Sequence, residues 1–179
     1  DFNYLGSLDE ATKARVGFHY ALRDLRGTVR LNEVGLDFDD LRASRDGVSL
    51  TAAGRVDYSK AGDETWQAHV VARNVPTDRV LMEALDPATR EVVESFHPDG
   101  EIDIVVNAAR NRGDPRHMSP DVQVDLRGVR LRPDAFPYDL EDVRGIVSAK
   151  GSVINLEGLD ARHGRSGLGI SGNVGIDVR

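Results

Sequence analysis

The chain has 179 residues, 40% of them apolar and 30% charged, with a formal charge of −7; this is enough for one cored domain and too apolar for a disordered chain. The acidic balance, with basic residues never running longer than a pair, excludes a general nucleic-acid binder and a polybasic membrane clamp. The absence of cysteine removes disulfides, thiolate metal sites and cysteine nucleophiles together, and no stretch nears the roughly 20 apolar residues of a spanning helix.

In chain order, Ser7 and Glu10 have the spacing of a capping box, which predicts a short helix over Leu8–Arg15. From Phe18 the pattern turns to strands. Leu25, Gly27, Val29 and Leu31 share one face, with Asp24, Arg26, Thr28 and Arg30 on the other. Val48, Leu50, Ala52, Gly54 and Val56 repeat the alternation after a turn at Arg45-Asp46-Gly47, where Asp-Gly supplies the positive φ of a tight hairpin. Trp66, Ala68, Val70 and Ala72 predict a further strand. Thr77–Phe96 reads as two helices: Thr77 and Asp78 suit the first cap, and Asp86-Pro87 restarts a second helix with Pro in its first turn. Ile102, Ile104, Val106 and Ala108 alternate again, the polar loop Asn111–Pro120 follows, and Val122–Leu131 predicts another strand.

Phe18–Val56 then recurs as Phe136–Val174, without a gap, at a shift of 136 − 18 = 118 residues. Identities include Tyr20/Tyr138, Leu22/Leu140, Asp24/Asp142, Arg26/Arg144, Gly27/Gly145, Val29/Val147, Leu41/Leu159, Ala43/Ala161, Leu50/Leu168 and Gly54/Gly172. Internal repetition at a long period is the mark of a repeat architecture. The expected fold is mainly β: curved antiparallel sheets of repeated meanders, groove- or taco-like, with an inserted helical pair. The expected division is an N-terminal segment 1–17, a first repeat 18–135 and the start of a second at 136–179. The chain opens at Asp1 without a Met and closes at Arg179 inside an alternating run, so the expectation is of a segment of a larger protein.

No constellation carries catalysis. Gly167-Leu168-Gly169-Ile170-Ser171-Gly172 matches a dinucleotide fingerprint in letters only, because an alternating strand follows it where a helix is required. The five histidines, His19, His69, His97, His117 and His163, have no ligand-like spacing, so no metal or cofactor is expected. Asp37, Asp39 and Asp40 read as a solvated strand face, and Asp86 as a helix cap beside Glu83 and Glu91, not half of an acid/base pair. The repeated Asp24-Leu25-Arg26-Gly27 and Asp142-Val143-Arg144-Gly145 read as devices of shape, an in-face ion pair followed by a glycine kink.

The run from Phe136-Pro137-Tyr138 through Asp142-Val143-Arg144-Gly145, then Leu156-Glu157-Gly158-Leu159, then Leu168, Ile170-Ser171-Gly172 and Val174, resembles the AsmA-like and TamB-like bacterial envelope proteins, YhdP-type members included. The helical stretch followed by Pro98-Asp99-Gly100 is similar to a passage of the same family. The resemblance implies a repeating β-groove of the bridge-like lipid-transfer class, without catalytic residues, in a membrane-anchored parent of the bacterial envelope on its periplasmic side. Its implied partner is a phospholipid or another acyl-chain lipid. The helical insertion and the Asn111–Pro120 loop exceed what a plain strand repeat needs. Groove-lining candidates are Val29, Leu31, Leu36, Phe38, Val48, Leu50 and Val56 in the first copy, with Val147, Ile154, Leu156, Leu168, Ile170 and Val174 in the second. The alternative expectation is a structural or protein-interaction module whose core its own helices seal.

Overall fold

The computed structural model describes residues 21–113, 120–135, 138–151 and 153–175, the last six as backbone, together with the short strands β1 (Ser7–Leu8) and β2 (Arg15–Val16). Nine longer strands follow: β3 Arg23–Leu31, β4 Gly35–Arg45, β5 Val48–Asp57, β6 Thr65–Pro76, β7 Glu101–Arg110, β8 Asp121–Leu131, β9 Leu140–Lys150, β10 Val153–His163 and β11 Ser166–Gly175. They form one antiparallel sheet in which every strand lies beside its neighbour in sequence, from β3 at one edge to β11 at the other. The sheet is open, as expected of a mainly β protein with period-two alternation.

The repeat seen in the letters is also present in the backbone. Shifting β4 and β5 by 118 residues lands on the bounds of β10 and β11. Four positive φ angles recur at the same offset: Asp24 and Asp142, Gly27 and Gly145, Asp40 and Gly158, Asp46 and Gly164. The register shift between Phe38 and Leu41 has its counterpart between Leu156 and Leu159. At Gly27 an added Cβ would stand 2.8 Å from the Asp40 carbonyl oxygen, and at Gly145 2.6 Å from that of Gly158. The kink therefore needs glycine twice, for the same steric reason. The expected ion pair is formed in the second copy, where Arg144 Nε donates to Asp142 Oδ1 at 2.9 Å.

The two helices, α1 (Arg79–Ala84) and α2 (Pro87–Glu94), interrupt a hairpin. Pro76 faces Glu101 in the β6–β7 ladder, and the Thr77 N–H donates to the Gly100 carbonyl at 2.9 Å, so the insertion enters and leaves at one point. The cap of α1 is Asp78, whose carboxylate accepts from Leu81 N (3.0 Å); Asp86 caps α2, accepting from Ala88 and Thr89 N (3.1 Å each). The Arg90 guanidinium reaches back to donate three hydrogen bonds, to the carbonyls of Met82, Glu83 and Leu85, and so closes the C-terminal end of α1. The exit of α2 is strapped to the end of β8 by Arg132 N to Phe96 O and Asp134 N to Ser95 O.

At the N-terminus the structure departs from the sequence expectation. Ser7–Leu8 and Arg15–Val16 pair with each other as strands, so the two ends of the expected Leu8–Arg15 helix are β; its interior lies outside the described residues. A six- to eight-residue helix has little stability without a face to pack on.

Candidate functional site

Cross-strand partners share a face, so the ladders show which side chains the fold assembles. One row runs Ala43, Leu50, Ala72, Ile104, Val124, Val147, Leu156 and on to Gly172, crossing the sheet from β4 to β11. A parallel row runs Leu41, Ala52, Val70, Val106, Val122, Ala149, Ile154 and Val174. Both rows consist of apolar residues and glycine. The same face continues at the β3 edge, where Val29 faces Phe38 and Leu31 faces Leu36. The opposite face carries Asp37 with Arg55, then Gln67, His69, Asn107, Gln123, Ser148 and Asn155. One side of the sheet is thus apolar from β4 to β11, while the other is mixed, with Val71, Val105 and Ile146 set among its polar groups.

The helices cover only one end of the apolar side. Val48, Val75, Ile102 and Val129 lie beneath Leu81, Met82 and Ala84 of α1 in one cluster. Every buried apolar residue of the described sheet (Ala43, Val48, Val75, Ile102, Val129, Val143 and Ala161) sits at this same end, where β4, β6, β8 and β10 finish and the other strands begin. Beyond it, Val56, Trp66, Val70, Val106, Val122, Val147, Ile154 and Leu156 are half-buried. Ten buried apolar residues among those described are few for a sheet of this size, because among the described residues no second layer covers most of its apolar face.

The sequence candidates distribute accordingly. Val29, Leu31, Leu36, Phe38, Leu50, Val56, Val147, Ile154, Leu156 and Leu168 all lie on this face outside the cluster. Ile170 and Val174 take strand positions opposite Leu159 and Ile154, with their side chains outside the described residues. Val48 is on the right face but belongs to the helix-covered core. The reading of the two copies missed the middle of the surface, which β6, β7 and β8 supply. The signal was present in the alternation of Trp66–Ala72, Ile102–Ala108 and Val122–Leu126.

A polar bracket closes the uncovered end. Arg110 continues the phase of Ile102, Ile104, Val106 and Ala108, faces Trp66 across the ladder, and is buried. Its guanidinium donates to the Glu64 carbonyl and lies 3.8 Å from Asp63 and 3.9 Å from the Glu64 carboxylate. The Gly113 N–H donates to Asp63 at 2.9 Å and, with Lys60 and Arg110, holds that carboxyl below the usual range against the opposing effect of burial. A buried arginine without such partners is costly, and here its neighbours tie the β5–β6 and β7–β8 turns together.

The polar face has its own depression, of about 540 Å³, lined by Ala53, Gln67, His69, Asn107, Asp121 and Lys150 among others. Its polar groups meet one another: His69 Nδ1 lies 2.7 Å from Asn107 Oδ1, and Lys150 donates to Asp121 at 2.8 Å. His97 bonds Asp134 and His163 bonds the Asp139 carbonyl, each at 2.8 Å, while His19 and His117 lie outside the described residues. Among the described residues no three His, Asp or Glu gather as a metal site. The Gly167–Gly172 run lies in β11, a strand position without the helix N-terminus that a dinucleotide phosphate needs. Among the described residues no helix is long and apolar enough to cross a membrane. Compared with protein families, curated proteins and solved structures, the chain matches none.

Proposed function

We propose that this chain is a lipid-binding segment of a larger envelope protein, along whose apolar sheet face the acyl chains of phospholipids lie and move. The observation that supports this is the continuity of the apolar rows across β4 to β11, beyond the reach of α1 and α2. An uncovered apolar surface of this extent in water calls for an apolar occupant. Acyl chains suit it, since they need area and no directional bonds, and the rows offer Val, Leu, Ile and small Ala and Gly without a polar interruption. The resemblance to the AsmA-like and TamB-like proteins gives the reading its biological setting, a membrane-anchored parent in the periplasm. It remains an analogy of fold and motif.

Native mass spectrometry of the chain purified from cells, with extraction of co-purifying lipid, tests the proposal. Bound phospholipid, lost when Leu50→Asp and Leu168→Asp are combined in a variant that keeps its circular dichroism, is the expected result. A lipid-free mass that takes up no added phospholipid would sink it and favour the alternative, a protein-interaction module whose apolar face is covered by another polypeptide.

A further inference from the structure

On the polar side of the sheet, long paired side chains fill the part nearer the helices. Arg73, Asp103 and Arg127 link β6, β7 and β8, and Arg144 is held by Asp142. Farther along, Ala53 on β5 and Ala109 on β7 stand where such side chains would, and they floor the depression of about 540 Å³. Gln67, His69, Asn107, Asp121 and Lys150 surround that floor, and every residue lining it is among those described. Ala53, His69, Asn107, Asp121 and Lys150 are successive cross-strand partners, so one straight row crosses from β5 to β9, about 19 Å at the usual strand spacing. These groups spend only part of their bonding capacity on one another. Asn107 presents Oδ1 to His69 Nδ1 at 2.7 Å, so the ring hydrogen is on Nδ1, leaving the His69 Nε2 acceptor and the Asn107 amide hydrogens. Lys150 donates to Asp121 Oδ2 at 2.8 Å, which leaves Asp121 Oδ1 and two ammonium hydrogens. The side-chain amide of Gln67 has no partner among the described residues. Charge cancels locally: Lys150 pairs with Asp121, and Arg55, beside Gln67, lies 3.4 Å from Asp37.

We propose that this depression binds a neutral oligosaccharide, laid across β5 to β9 with the flat C–H faces of its rings on the alanines and its hydroxyls on the groups around them. The left-over capacity runs in alternation along the row: an acceptor at His69, a donor at Asn107, an acceptor at Asp121 and a donor at Lys150. Sugar hydroxyls both donate and accept, so successive hydroxyls satisfy such a row, whichever way each is turned. A phosphate or carboxylate would meet one cation, already neutralised by Asp121, together with two acceptors that repel it. An acyl chain would strand the polar groups without partners. The volume lies within the range of small-molecule sites. The depression is on the opposite side of the sheet from the apolar rows, so the proposal does not depend on the lipid reading.

The probe is cellotriose, a neutral trisaccharide, titrated into the full isotope-labelled chain and followed by amide chemical shifts. Saturable shifts are expected at Ala53, Gln67, His69, Asn107 and Ala109, with a Kd in the millimolar range, as neutral hydrogen bonds in an open site give. Ala109→Leu fills the floor and should abolish them; Asn107→Ala should weaken binding roughly tenfold. Asn107 and Ala109 are exposed, so neither change falls on the core, and the shift map of the unaltered chain decides should either variant misfold. Absence of saturable shifts, shifts centred away from the Ala53–Lys150 row, binding untouched by Ala109→Leu, or tighter binding of inorganic phosphate than of cellotriose would each overturn the proposal.

Discussion

Single residues set the local geometry, and several were legible because their signals are local. Asp86 is an N-cap by sequence and in the fold, so Asp86→Ala should cost about 1 kcal/mol in urea denaturation. Its carboxyl is held below the usual range, first by the Thr89 hydroxyl and then by the Thr89 and Ala88 amides; Asp57, bonded by Ser59, and Asp63 are lowered likewise. A carboxyl with a lower pKa folded than unfolded binds fewer protons when folded. The stability from these groups is therefore present above about pH 4 and lost as pH falls through the folded values. Urea midpoints should be flat from neutral pH to about pH 5 and fall below about pH 4, and less steeply in Asp86→Ala. Glycines separate by position. Gly145→Ala forces a Cβ to 2.6 Å from a carbonyl oxygen at φ 130° and should cost about 2 kcal/mol or more, whereas Gly167, with open space around it, should accept Ala within about 0.5 kcal/mol. Arg110 was not legible as a buried bracket: its phase marks the face, but only the turn carrying Asp63 and Glu64 shows why an arginine is tolerated there.

Among the elements, the helical pair has the clearest role, covering one end of an otherwise open face. Leu81 is buried against Val48, Val75, Ile102 and Val129, so Leu81→Ala should destabilise by about 2–5 kcal/mol, read from denaturation midpoints. Replacing residues 78–99 by a two-residue Asn-Gly turn should keep the β6–β7 hairpin, whose ladder closes at Pro76 and Glu101. The expected protein retains strand signal by circular dichroism, melts earlier and binds more of an apolar dye, because Val48, Val75, Ile102 and Val129 lose their cover. Strands and helices were readable from alternation and caps, since these are properties of neighbouring residues. The Leu8–Arg15 helix failed for a reason of scale. A capping box marks where a helix would start, but tertiary partners decide whether so short a segment forms one, and its ends pair as strands.

For the whole molecule, the consequence is an amphipathic sheet whose apolar side is wider than its helices. If acyl chains occupy that side, added phospholipid should raise the melting temperature in proportion to its concentration above Kd, and the Leu50→Asp, Leu168→Asp variant should lose the shift while remaining folded. A melting temperature indifferent to lipid would favour a polypeptide as the cover.

By itself the sequence determined the strand alternation, the two caps, the turn at Arg45–Gly47 and the 118-residue repeat with its glycine kinks. Each follows from side-chain size, backbone preference or identity at short range, which a linear reading can follow. Only the tertiary structure decided that the strands form one open sheet in simple order, that Val48 lies under the helices while Leu50 does not, and that β6, β7 and β8 supply the middle of the apolar face. Cover is a property of what lies opposite a residue in space. Two identical leucines or valines 118 residues apart differ in exposure because their neighbours differ, and that difference is not written in either one.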